Sequence, residues 1–106
     1  MQLESSSLPQ EANAVLEGLW RRVRDDAERI KRDQLRIIAS RVSMSAREVG
    51  LHPEELIIAI KQSWQESRPR PPAEHRWILT ETIALCIEEY YRWQHANADA
   101  RRVDSA

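Results

Sequence analysis

Leu16, Val23, Ile30, Ile37 and Met44 recur every seven positions, with Ala12, Leu19, Trp20, Ala27, Ile38 and Val42 beside them. At ~100° per residue these positions fall on one stripe of a helix. No glycine or proline interrupts residues 19 to 49, and strand-type alternation is absent throughout. The whole chain of 106 residues has two glycines, Gly18 and Gly50, and four of its five prolines lie between 53 and 72. So little turn chemistry leaves few loops, and the fold expected is an all-α bundle in a single domain.

The spacing predicts three main helices, at about 9–43, 53–67 and 73–97, with a short helical turn near 46–49. Residues 1–8 are expected to be flexible and 98–106 frayed. Ser7 with Gln10 has capping-box spacing, and Pro9 suits a first turn. A helix of about 35 residues would be roughly 50 Å long, so it needs a partner: another part of its own chain, or a second copy. A bend near Asp33, which could cap a new helix, is the main alternative to a continuous helix.

The corner Ser45-Ala-Arg-Glu-Val-Gly-Leu-His-Pro-Glu-Glu-Leu56 is the most informative junction. Ser45 and Glu48 suggest the short turn, Gly50 ends it at positive φ, and Pro53 starts the next helix with Glu54 and Glu55 at its positive end. Ala46, Gly50 and Leu56 have the spacing seen in helix-turn-helix DNA-binding domains, which the corner at 45–64 therefore resembles. That resemblance implies a DNA-binding regulator, in which Arg22, Arg29, Arg36 and Arg47 would contact nucleic acid. Two features oppose it. Ser45 stands where that motif has an apolar residue, and the would-be recognition helix opens Pro53-Glu54-Glu55, setting carboxylates against phosphates.

Charge gives little further support to nucleic acid. The net charge is −1, from 16 basic and 17 acidic residues. From Arg21 to Arg47 there are nine basic and four acidic residues, yet Asp25, Glu28 and Asp33 stand four from Arg29, Arg32 and Arg29 respectively. Such spacings neutralise a helix face by local pairing.

Chemistry-bearing residues are scattered. His52, His75 and His95 lie on three segments, and the nearest metal-like spacing, Glu88 with His95, is too loose for one ion. Cys86 sits in an apolar run that deactivates a thiol. Two isolated glycines cannot form a phosphate loop. The expectation is a non-enzymatic protein with no cofactor and no metal. Lacking an apolar run of membrane length or a leader-like start, it is expected to be cytoplasmic. Ser67-Arg-Pro-Arg-Pro-Pro72 contains a formal Pro-x-x-Pro but reads as a stiff linker between helices.

The stretch Trp77–Trp93 is apolar nearly all round, with Leu79, Ile83, Cys86, Ile87 and Tyr90 on one side and Ile78 and Leu85 on another. A helix of that kind is buried on more than one side. The combination Glu55-Leu-Ile-Ile-Ala-Ile-Lys-Gln-Ser-Trp64 followed by Cys86-Ile-Glu-Glu-Tyr-Tyr-Arg92 resembles small uncharacterised bacterial all-helical proteins over the C-terminal half. The resemblance implies a bacterial α-helical fold and assigns no site.

The reading these features support is an interaction or scaffold protein that associates through apolar helix faces, as a homodimer or with a protein partner. Leu16, Val23, Ile30, Ile37, Met44, Ile58, Ile78 and Leu85 are the candidate interface. A sensor with a Trp/Tyr-lined pocket is a third reading. No polar anchor in the sequence points to it, so no small molecule is indicated.

Overall fold

The computed structural model describes the backbone of residues 8–105 and the side chains of residues 8–92. It is all-α, with four helices rather than three: α1 Gln10–Asp26, α2 Arg32–Glu48, α3 Pro53–Glu66 and α4 Arg76–Ser105. Single 3₁₀ turns at Ala27–Arg29 and Ala73–His75 precede α2 and α4.

The long first helix is broken. Asp26 leaves helical space (φ −160°, ψ 58°), and Ile30 and Lys31 are extended. No glycine or proline marks the break. Asp25 and Asp26 at a helix C-terminus oppose the dipole there, and aspartate is a poor helix former. Doubling back also buries Ala27, Ile30 and Leu35, which a straight helix could cover only with another molecule. The new helix starts at Arg32, where the Gln34 side chain accepts from the Lys31 backbone N–H at 3.2 Å. Asp33 is not its cap.

The corner after α2 follows the expected chemistry, with one correction. Residues 46–49 are no separate turn, because α2 runs unbroken through Glu48. Gly50 then takes φ +78°, Leu51 donates its N–H to the Ala46 carbonyl at 2.9 Å, and Pro53 opens α3. Glu55 accepts from the His52 backbone N–H at 2.8 Å. α4 starts at Arg76 and reaches Ser105, beyond the expected end near 97. The proposed cap Ser7 and the expected flexible residues 1–7 lie outside the described residues. Leu8 is buried.

Each helix packs on two others, in the cyclic order α1–α2–α4–α3. α2 and α4 are the most extensively packed pair, and α2 turns Ala39, Ser43 and Ala46 inward with no exposed surface. Small residues at this spacing let two helix backbones come close. α3 packs on α1 and α4 rather than on α2, to which four residues join it. The result is a two-layer slab, 52 × 38 × 19 Å.

Two polar ties fasten the layers. Trp20, fully buried, meets the Trp64 ring edge-on at 5.0 Å and donates its indole N–H to Ser63 Oγ at 2.9 Å. Arg24 donates to Ser67 Oγ and the Pro69 carbonyl at 2.8 and 2.9 Å. These bind α1 to the end of α3. At the other end Tyr90 donates its hydroxyl to the Leu51 carbonyl at 2.8 Å, and Arg47 lies over the Tyr90 ring. These fix α4 to the corner.

Candidate interaction surface

The break at Asp26–Lys31 decides which apolar residues remain available. Leu16, Val23 and Ile30 keep the seven-residue stripe and are buried in the chain's own core. Past the break the inward positions become Leu35, Ala39, Val42, Ser43 and Ala46. Ile37 lies two residues from both Leu35 and Ala39, so it points ~200° away from them, outward. It is 63% exposed, and Met44, seven further on, is 38% exposed.

α4 behaves differently. Ile78 and Leu85 are fully buried, together with Thr82 and Cys86. They do not form an outer face. Of the eight candidate interface residues, Leu16, Val23, Ile30, Ile78 and Leu85 are thus spent inside the monomer, and Ile37, Met44 and Ile58 are left on the surface. Ile58 is on α3, in the other layer.

The sequence reading missed Trp77 and Tyr91, which are 55% and 47% exposed. Trp77, Ala84 and Tyr91 stand seven apart and form the outward side of α4, directly next in sequence to the buried Ile78 and Leu85. That spacing was the available signal. It is hidden because α4 is apolar nearly all round, so periodicity cannot say which stripe faces in.

The seam between α2 and α4 is charged. Arg32 pairs with Glu81 at 2.5 Å, and Arg36 donates to Glu88 and Glu89, each at 3.2 Å. Both pairs run in the same order along the two helices, which are therefore parallel. The Arg36 pKa is raised, first by its hydrogen bond to Glu88 and further by Glu89, against an opposing effect of desolvation. On this side of the slab, then, Ile37 and Met44 flank exposed Arg41, while Trp77 and Tyr91 flank Glu81 and Glu88. Met44 also borders a cleft of about 190 Å³ against the start of α1.

The four arginines considered for nucleic acid do not form one patch. Arg29 pairs with Asp26 at 3.1 Å, Arg22 donates to Gln34 at 3.2 Å, and Arg36 and Arg47 tie α2 to α4. In the would-be recognition helix Glu54, Glu55 and Ile58 are the exposed residues of the first turns.

Other chemistry is sparse. Among the described residues no group of three His, Cys, Asp or Glu could hold a metal ion, and no helix is long and apolar enough to cross a membrane. Burial, with Glu89 adding to it, pushes the Cys86 thiol up to about 12. The thiol is inert at neutral pH. Compared with known proteins, the chain matches no family model, no curated protein and no solved structure.

Proposed function

We propose that this is a non-enzymatic, cytoplasmic interaction protein that self-associates through the outward faces of α2 and α4. The observation that carries the reading is the pair of exposed apolar stripes, Ile37 with Met44 and Trp77 with Tyr91, set side by side on one face. Tryptophan and tyrosine are the residues on which interface energy most often concentrates.

A two-fold axis running along the helices lays α2 of each copy over α4 of the other, so that aliphatic side chains meet aromatic ones. Glu81 and Glu88 are already held by Arg32 and Arg36 within the chain, so the apolar side chains carry this reading. The DNA-regulator alternative has weaker support, because α3 opens with exposed Glu54 and Glu55 and the basic side chains Arg36 and Arg47 are already engaged with α4. A cytoplasmic setting suits Cys86, a buried free thiol.

Sedimentation velocity at micromolar concentration tests this. The expected species has twice the 12.4 kDa chain mass, and Ile37→Glu or Tyr91→Glu converts it to monomer while the helical signal persists. A wild-type chain that stays at 12.4 kDa at every concentration sinks the proposal.

A further inference from the structure

A cleft of about 220 Å³ lies where the end of α3, the proline-rich linker and the start of α4 meet. Its floor is apolar: Trp64, Pro71 and Leu79 are all buried residues. Its rim carries three cations, Lys61, Arg70 and Arg76, all exposed. No carboxylate lines it, and none of the three cations forms an ion pair among the described residues. Arg70 makes a long bond, 3.4 Å, to the Gln65 carbonyl. The nearest acidic residue in sequence, Glu74, is turned to His75 at 3.5 Å.

Helix ends do not account for this charge. The α3 C-terminus offers about half a negative charge and the α4 N-terminus about half a positive one, so the two nearly cancel. Three positive charges remain uncompensated on a chain whose net charge is −1. The larger groove between α1 and α3, about 380 Å³, behaves otherwise: its Arg21, Arg24 and Arg68 are offset by Glu17 and Glu66. Arg70 stands between Pro69 and Pro71, whose fixed φ restricts the backbone on either side of it.

We propose that this cleft binds a small organic anion: one aromatic ring bearing a phosphate or carboxylate group. The ring lies on the Trp64–Pro71–Leu79 floor, and the oxyanion meets Arg70, Arg76 and Lys61. Guanidinium groups match oxyanion geometry through paired N–H donors. At about 220 Å³ the cleft is smaller than the roughly 300 Å³ at which sites for drug-sized molecules start, which suits a single ring.

The test is a titration of the full-length ¹⁵N-labelled chain with phenyl phosphate, followed by amide and indole shifts. Expected is saturable movement of the Trp64 indole N–H and the amides of Gln65, Arg70 and Ala73–Arg76, half-complete at low millimolar concentration or below. Raising ionic strength weakens it. Lys61→Gln with Arg76→Gln weakens it by about 2- to 25-fold, at up to about fivefold for each exposed charge pair lost. Both side chains are exposed, so the helical circular dichroism should be unchanged. Should it fall, Arg70→Gln on the linker makes the same comparison. Four results would overturn the proposal: no saturable shift, undiminished binding by the variants, equal binding of phenol, or equal binding of inorganic phosphate, the last because the apolar floor would then contribute nothing.

Discussion

Arg36 donates to the carboxylate of Glu89 across 3.2 Å, and Glu89 is the one acidic residue among those described that is buried, at 4% exposure. Among the described residues Arg92 is the other cation paired with that carboxylate, at 3.6 Å. A buried carboxylate is costly unless it is paired and hydrogen-bonded, so the most extensively packed helix pair carries a specific electrostatic condition. Arg36→Met should therefore lower the thermal midpoint clearly more than Glu88→Gln, which removes an exposed partner of the same arginine. Thermal unfolding followed by circular dichroism gives the order. Equal effects would mean that Glu89 is satisfied without Arg36.

The two seven-residue stripes should respond oppositely to truncation. Leu85→Ala empties a fully buried site and should cost about 2–5 kcal/mol. Ile37→Ala, at an exposed site, should change monomer stability by no more than about 0.5 kcal/mol. Urea unfolding of both variants, compared at a concentration where the chain is monomeric, checks this. A large cost at Ile37 would place it in the monomer core.

Gly18 and Gly50 should give opposite signs for one substitution. A Cβ at either position meets nothing within 4 Å, so sterics do not separate them. Gly18 is inside α1, where alanine is favoured, and Gly18→Ala should stabilise by up to about 1 kcal/mol. Gly50 has φ +78°, and Gly50→Ala should destabilise by about 1–2 kcal/mol. Denaturant midpoints of the two variants measure the difference.

Alkaline pH should weaken the fold through Cys86. Its thiol titrates near 9 when unfolded and at about 12 in the native state, raised by burial and then by Glu89. The folded chain therefore holds this proton more tightly. The resulting stability is fully present below about pH 9 and is lost as pH rises towards 12. Cys86→Ala should show a shallower fall over that window, and the wild-type thiol should resist a thiol-specific reagent at pH 8 while folded. Rapid labelling of the native chain would contradict its burial.

Much of the local structure was legible in the letters. The lack of glycine, proline and alternation gives an all-α chain. Gly50 and Pro53 mark the α2–α3 corner because each residue has one conformational role there that others fill poorly. The break after Asp26 was legible only as the alternative of a bend near Asp33, and its exact place was not. It contains no breaker residue, and it exists because the doubled-back chain buries Ala27, Ile30 and Leu35. That event also resets the stripe, so Ile37 and Met44 continue its count but not its burial.

The sequence by itself determined the helical class, the corner and the proline linker, since these depend on backbone conformations available to individual residues. Only the tertiary structure decided which side of α4 faces inward, because a helix apolar nearly all round has no periodic preference. Packing of α4 against α2 and α3 placed Ile78 and Leu85 inside and left Trp77 and Tyr91 outside. It was likewise the meeting of α3, the linker and α4 that gathered Lys61, Arg70 and Arg76 around one apolar floor. The linker brings the end of α3 back beside the start of α4, and that turn sets the three cations around one floor.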